Sequence, residues 1–104
     1  MKKLFIDGKW TDTGKTIEVT RPFDGSLVDT ICEASVADTE RAIDAAFRAK
    51  KVMSKLTAAQ RGQILDNVSA LIERDQEEIA QIITAEAGKG LVFSRREAGR
   101  TVEN

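Results

Sequence analysis

The sequence contains no histidine and a single cysteine, Cys32. A Ser-His or Cys-His nucleophile pair is therefore excluded within this chain, because such a pair needs an imidazole as its base. One thiol cannot form an internal disulfide, which is typical of proteins that work in a reducing compartment. These absences agree with a cytoplasmic location.

Long apolar runs and blocks of one charge are also missing. The basic start, Met1-Lys2-Lys3, is followed by only three apolar residues, whereas a secretory signal needs about 7–15. Nothing approaches the roughly 20 apolar residues of a membrane-spanning helix. With 16 basic and 17 acidic residues the net charge is -1, too balanced to attract nucleic acid or an anionic membrane. We therefore expect neither as a partner.

Two Asp-Gly pairs mark the first part of the chain, Asp7-Gly8 and Asp24-Gly25. Asp-Gly between apolar segments is a strong hairpin signal, because both positions of the tight turn need a positive φ. The apolar segments that flank the two turns are Leu4–Ile6 with Lys9-Trp10, and Ile17–Thr20 with Leu27–Ile31. Residues 1–34 are thus predicted to form two β-hairpins.

Helical signals fill residues 35–104. Capping-box patterns begin at Ser35, Thr57 and Asp75, and Gly88 is a predicted left-handed helix end. These start and end signals predict about four helices. Their predicted buried stripes are Ile43, Ala46, Phe47, Lys50 and Met53; Ile64, Leu65, Val68, Leu71 and Ile72; Ile79, Ile82 and Ile83; and Leu91, Arg95, Ala98 and Val102.

The last helical pattern continues to Asn104 without a capping residue. Natural domains rarely stop in the middle of a helix, so the sequence is interpreted as one truncated segment, 1–104. Its apolar helix faces would then lie against protein that this segment does not include. The predicted fold class is α/β, with two hairpins followed by about four helices.

An ordered set of short runs resembles the N-terminal region of the aldehyde dehydrogenase superfamily. The runs are Phe5-Ile6-Asp7-Gly8-Lys9-Trp10, Arg21-Pro22-Phe23-Asp24-Gly25, Ala42-Ile43-Asp44-Ala45-Ala46, Arg61-Gly62-Gln63-Ile64-Leu65, Leu71-Ile72-Glu73-Arg74 and Glu86-Ala87-Gly88-Lys89. Within the superfamily, Ala87 and the run Met53–Leu56 are similar to lactaldehyde, semialdehyde and non-phosphorylating glyceraldehyde-phosphate dehydrogenases. Gly90, Ala98 and Arg21 depart from the usual residues at their positions.

The resemblance implies an NAD- or NADP-dependent oxidation of an aldehyde to a carboxylic acid through a Cys thiohemiacetal. It also implies that the nucleophile, the general base and the cofactor-binding residues lie beyond the matched region, so none can be assigned here. Residues 35–104 would belong to the cofactor-binding domain of a parent enzyme that forms a homo-oligomer. The fragment itself is expected to bind no cofactor and to be inactive, with the rest of the parent chain as its partner.

Glu86 is the most informative candidate site residue. It follows Ile79, Ile82 and Ile83 at helical spacing, and a carboxylate on an apolar face needs a partner. The first interpretation is a salt bridge with Lys89 or Arg95 that positions the Gly88 turn. The second follows from the resemblance, since some family members hold a monovalent cation at the matching position. Val19 and Thr20 would then supply main-chain oxygen ligands beside Glu86.

Two other features allow competing interpretations. Cys32 could be a nucleophile, but a predicted strand position beside Glu33 favours a structural role. Phe5 and Trp10 could fill a subunit interface or simply pack locally. For the whole chain, the alternatives to an enzyme fragment are a freestanding α+β interaction module without catalysis and, against the charge balance, a nucleic-acid binder.

Overall fold

A computed structural model of the chain describes residues 1–103, in which four short strands precede four helices. The strands are β1 (Leu4–Ile6), β2 (Lys9–Thr11), β3 (Thr16–Thr20) and β4 (Leu27–Cys32). The helices are α1 (Val36–Met53), α2 (Ala58–Arg74), α3 (Gln76–Ala87) and α4 (Leu91–Glu103). The predicted fold class, α/β with two hairpins followed by four helices, is confirmed. The predicted end of the last helix at Asn104 lies outside the described residues.

The first hairpin forms at Asp7-Gly8 as predicted. Both residues adopt the left-handed conformation, with φ of 52° and 74°, as a tight two-residue turn requires. The pairing places Phe5 opposite Trp10, and their ring centroids lie 4.9 Å apart. Leu4 and Ile6 point to the other face of the hairpin, where they are half-buried.

The second hairpin is also confirmed, but the predicted two-residue turn is wrong. Only Gly25 has a positive φ, and the connection is a loop in which the Arg21 amide donates to the Ser26 carbonyl at 2.8 Å. Asp24 accepts hydrogen bonds from the amide and the hydroxyl of Ser26 at 3.0 and 2.7 Å. Pro22 explains the longer loop, because it has no amide to continue the β ladder.

The chain divides into two compact units. The first contains residues 1–20 and 27–56, and the second contains residues 21–26 and the chain from Thr57 onward. Each unit has its own interior. The predicted assignment of residues 35–104 to a cofactor-binding domain concerns the parent enzyme and stays a prediction.

The first unit is organised around β4. The inner face of β4 carries Val28, Thr30 and the buried Cys32, and the amide of Cys32 donates to the carbonyl of Lys2 at 2.8 Å. The only other buried side chains among the described residues of this unit are Ala45 and Asp38, both on α1. Small side chains at these positions allow a close approach of the elements but bury little apolar area.

A capping box starts α1 as the sequence predicts. The Ser35 hydroxyl accepts from the Asp38 amide at 3.2 Å, and the Asp38 carboxylate accepts from the Ser35 amide at 2.9 Å. Hydrogen bonds from the Ser35 hydroxyl and amide, with a further one from Arg41, lower the pKa of Asp38 from 3.8 to about 2. The predicted box at Thr57 and Gln60 is likewise confirmed for α2.

The second unit is a bundle of α2, α3 and α4. Its buried side chains within residues 1–103 are Ala80 on α3 and Ser94 and Ala98 on α4, again small. The hydroxyl of Ser69 on α2 donates to the carbonyl of Val102 on α4 at 2.8 Å. Contact between these helices therefore depends on small residues and on hydroxyl hydrogen bonds.

Helix α2 ends and helix α3 begins on either side of Asp75, as predicted. The prediction that Asp75 caps α3 is wrong. The Asp75 side chain makes no capping hydrogen bond. Both of its oxygens instead accept from the guanidinium of Arg74, at 2.8 Å each. The Asp75 carboxylate, which was predicted to cap α3, therefore forms an ion pair with the neighbouring Arg74 instead.

The stripe predicted to be buried on α1 faces outward. Ile43, Phe47 and Met53 are exposed, Phe47 to 70% of its surface, while the half-buried and buried positions are Ala42 and Ala45. The periodicity correctly identifies an apolar face, but no described residue of the chain covers it. On α4 the predicted interior residue Ala98 is buried, but Arg95 is exposed and its neighbour Ser94 is buried in its place.

Replacing Ser35 by Ala removes one capping hydrogen bond from the start of α1. We expect the free energy of unfolding of the first unit to fall by about 1 kcal/mol, measured by denaturant titration with circular dichroism. The pKa of Asp38, followed by carboxyl-carbon NMR, should rise toward its ordinary value. Ser35→Asn keeps an acceptor and is the control; equal stability of both variants would contradict the assigned cap.

Candidate functional site

The three residues of the predicted cation site lie in different elements. Val19 and Thr20 end β3 in the first unit, where they pair with Asp29 and Leu27, and Val19 is half-buried. Glu86 lies near the end of α3 in the second unit, with an exposed side chain. Within residues 1–103 no group of three or more His, Cys, Asp or Glu side chains could hold a metal ion. The cation site stays a prediction.

The salt bridge predicted for Glu86 is not formed. Lys89 pairs with Glu97, and Arg95 binds Glu77 through two hydrogen bonds of 2.9 and 2.8 Å. Both cations therefore connect α3 or the turn after it to α4, and Glu86 has no ion pair among the described residues. Glu86 tolerates this because it is exposed to solvent and not buried on the apolar face.

These two ion pairs lie at the surface of the second unit, where they connect α3 and the turn after it to α4. The hydrogen bond from Arg95 lowers the pKa of Glu77, and the hydrogen bond from Lys89 lowers the pKa of Glu97. All four side chains are about half exposed, so solvent screens the pairs. They orient the helices more than they stabilise them.

The turn between α3 and α4 is fixed by Gly88. Its φ of 65° is left-handed, and its amide donates to the Thr84 carbonyl at 3.1 Å. A Cβ on Gly88 would lie 3.4 Å from two carbon atoms of Pro22. Below the turn, the hydroxyl of Thr84 donates to that of the fully buried Ser94 at 2.9 Å. The Gly88-Lys89-Gly90 run is therefore a left-handed helix end.

Sequence reasoning did not single out Ser94, although it is completely buried. Its partner Thr84 stands ten residues earlier, and this separation carries no local pattern. The sequence offered one signal of its burial, because Ser94 is a small polar residue four positions before Ala98 on the apolar side of α4. The hydroxyl pair satisfies both side chains inside the helix contact, as buried polar groups require.

Cys32 is buried, and its thiol donates to a carboxylate oxygen of Asp12 at 3.7 Å. Asp12 has a lowered pKa, chiefly because it also accepts from the Gly14 amide, and it therefore stays ionised. A thiol next to an anion and away from solvent is poorly placed for nucleophilic attack. This environment agrees with the structural role predicted for Cys32.

The turn at Gly88 does not fit the phosphates of a nicotinamide dinucleotide. A phosphate-binding loop needs backbone amides that remain free around the phosphates, with a cation aimed at them. Here the Gly88 amide is bonded to Thr84, and Lys89 is bonded to Glu97. The cleft beside this turn holds about 260 Å³ and is lined mainly by Arg21, Pro22, Phe23, Thr84, Gly88 and Gly90. The Gly88 turn thus lacks the free amide and the free cation of a phosphate site.

Exposed apolar side chains are the most prominent surface feature of the described chain. They include the ring pair of Phe5 and Trp10, the outward stripe of α1 and Phe23, which is 95% exposed. On α2, four apolar side chains of the predicted stripe are exposed. Surfaces of this extent mark places where a chain meets other protein.

A sequence model described as "Aldehyde dehydrogenase family" matches residues 10–104. The 3-sulfolactaldehyde dehydrogenase of Pseudomonas putida is 39% identical over 94% of this chain and 21% of its own length. Malonate-semialdehyde dehydrogenase 1 of Shouchella clausii is 36% identical over 98% and 21%. The structure of an NAD-dependent aldehyde dehydrogenase from Sinorhizobium meliloti has a TM-score of 0.92 at 33% identity, covering 98% of this chain and 21% of that one.

The chain therefore belongs to the aldehyde dehydrogenase family, and it corresponds to the N-terminal part of that fold. This confirms the resemblance drawn from the ordered sequence runs. The chain spans about a fifth of the length of the relatives it matches. No helix within residues 1–103 is long and apolar enough to cross a membrane.

Gly88→Ala should destabilise the second unit by about 1–2 kcal/mol, because an L side chain is strained at a positive φ. Gly62→Ala is the matched control, since a Cβ there meets nothing within 4 Å and Gly62 lies inside α2. It should increase the free energy of unfolding by up to about 1 kcal/mol. Denaturant titration of both variants checks the pair; a shift of the same sign in each would refute the assignment of the Gly88 turn.

Proposed function

We propose that this chain is the N-terminal part of an aldehyde dehydrogenase that oxidises an aldehyde to a carboxylic acid through a Cys thiohemiacetal. NAD or NADP would accept the hydride in the parent enzyme. The observation that carries the proposal is the family match over residues 10–104, combined with coverage of only 21% of the relatives. The nucleophile, the general base and the cofactor site would all belong to the rest of the parent chain.

The part described here would serve the enzyme as a structural framework. Its hairpins and capped helices are locally well specified, and its ion pairs and hydroxyl contacts set the angles between helices. None of its described side chains combines accessibility with an activated nucleophile or base. In this proposal the segment is inactive alone, cytoplasmic, and completed by the rest of its own chain within a homo-oligomer.

The aldehyde would carry an acidic group. The relatives include dehydrogenases named for 3-sulfolactaldehyde, malonate semialdehyde and glutarate semialdehyde, aldehydes that bear a sulfonate or a carboxylate. The resemblance to the lactaldehyde and semialdehyde branch supports the same class.

The monovalent cation bound by Val19, Thr20 and Glu86 is part of the same proposal. Its support is the family resemblance together with an exposed Glu86 carboxylate that has no ion pair among the described residues. In the parent enzyme, K⁺ should raise the melting temperature above that measured in choline chloride, and Glu86→Gln should abolish the difference. Glu78→Gln, an exposed carboxylate on the same helix, is the control; an equal K⁺ effect in the Glu86 variant would exclude this carboxylate as a ligand.

Two measurements test the enzyme proposal. Purified residues 1–104 should give no aldehyde-dependent NADH or NADPH, whereas the parent protein should oxidise a semialdehyde in preference to an uncharged aldehyde of equal length. The coding sequence after Asn104 should encode a Gly-Gln-x-Cys-like run and a Glu-Leu-Gly-Gly-like run. Turnover by residues 1–104, or the absence of both runs, would overturn the proposal. A freestanding interaction module would instead give a monomer of residues 1–104 that melts cooperatively.

A further inference from the structure

Two Asp-Gly pairs occur in the chain, and the structure gives them different surroundings. Asp7-Gly8 forms the turn of the first hairpin, and Asp24-Gly25 lies in the loop of the second. An aspartate followed by glycine is the pair most prone to cyclise, because glycine has no side chain to hinder attack of its amide nitrogen on the aspartate carboxyl. Whether the pair cyclises in a folded protein depends on how firmly the carboxyl and the amide are held.

Both reacting groups are held at Asp24-Gly25. The Asp24 carboxylate accepts from the amide and the hydroxyl of Ser26, at 3.0 and 2.7 Å. The Gly25 amide, which would have to attack this carboxylate, donates to the Arg21 carbonyl at 2.9 Å. The hydrogen bonds from the hydroxyl and the amide of Ser26 also lower the pKa of Asp24. Because cyclisation proceeds most readily from the neutral carboxylic acid, these contacts protect the second pair.

The same two groups are much freer at Asp7-Gly8. The Asp7 carboxylate is 67% exposed, and its one ion pair within residues 1–103 is a long contact of 3.3 Å with the similarly exposed Arg48. The Gly8 amide donates to no described residue, since the turn is closed by the pairing of Ile6 with Lys9. Asp7 also has a φ of 52°, which is a strained conformation for a residue with a side chain.

The hairpin around Asp7 can also open locally. It is a sheet of only two strands with three residues in each, and an isolated sheet of this kind is barely stable by itself. The paired rings of Phe5 and Trp10 on one of its faces are mostly exposed. Local opening with so few buried contacts costs little free energy, and it lets the Gly8 nitrogen reach the carboxyl carbon of Asp7.

We propose that Asp7 is a site of spontaneous isoaspartate formation and that Asp24 is protected from it. The Gly8 amide nitrogen bonds to Cγ of the Asp7 carboxylic acid, the amide proton and the carboxyl hydroxyl leave as water, and the product is a cyclic imide. Water then adds to either imide carbonyl and breaks its C–N bond, which restores aspartate or leaves isoaspartate. The reaction needs no co-reactant except water. It would occur whether or not the proposed function is right.

Isoaspartate would disrupt the first hairpin. The backbone then runs through Cγ of residue 7, which adds one methylene group to a turn built for two residues with positive φ. The pairing of Phe5 with Trp10 and the contact of the residue 7 carboxylate with Arg48 would both be displaced. Ageing of the protein would therefore loosen the first hairpin and leave the second intact.

Peptide mapping of the aged full-length protein tests the proposal. The protein is kept folded at neutral pH in heavy-oxygen water, and each Asp-Gly peptide is analysed for incorporated oxygen and, by electron-transfer fragmentation, for isoaspartate. We expect about tenfold more isoaspartate at residue 7 than at residue 24, because three hydrogen bonds must break at the second site. In urea the two rates should become equal. Amide hydrogen exchange of residues 5–10 should be faster in the aged protein.

Ser26→Ala is the matched variant that separates the two sites. It removes the hydroxyl donor from Asp24, so isoaspartate there should rise about threefold, while the amount at residue 7 stays unchanged. An unchanged amount at residue 24 would refute the protection assigned to Ser26. Equal amounts at the two positions of the folded unsubstituted protein, or more at residue 24, would overturn the proposal. So would a residue 7 that forms no isoaspartate in the folded protein, whether or not it reacts in urea.

Discussion

The constraint on which the rest of this structure depends is that the chain buries only small side chains. The buried residues among 1–103 are Cys32, Asp38, Ala45, Ala80, Ser94 and Ala98. Full burial of a Leu, Ile or Phe side chain contributes about 1.5–3 kcal/mol, and burial of an alanine contributes much less. The large apolar side chains that could supply this stabilisation are instead mostly outside, on α1, on α2 and on the first hairpin.

This distribution follows from how the elements approach one another. The contact of α3 with α4 is close because Ala80, Ser94 and Ala98 are small, and the hydroxyl pair of Thr84 and Ser94 fills the remaining space without a buried unpaired polar atom. A close contact of this kind fixes geometry accurately but yields little hydrophobic free energy. The outward apolar faces are thus available for a larger interior, which the proposed parent enzyme would supply.

Local signals in the sequence predicted the fold well. Asp7-Gly8 specifies its turn because two adjacent residues must both adopt a positive φ, and Ser35 and Thr57 cap helices through partners three residues away. In each of these cases the interacting groups are neighbours in the chain, so the pattern and the physical interaction occupy the same few residues.

Most of the incorrect predictions concern which of several possible partners a charged side chain takes. Asp75 has the spacing of a cap but binds the adjacent Arg74, and Glu86 has two cations nearby in the sequence that bind Glu97 and Glu77 instead. Which partners Lys89 and Arg95 take depends on how α3 and α4 pack, and Ser94 with its non-local partner Thr84 lies inside that contact. Periodicity also marks a face as apolar without saying whether the covering surface belongs to the same segment. The exposed stripe of α1 shows this most clearly, since Phe47 occupies a buried-type position on a face that residues 1–103 leave uncovered.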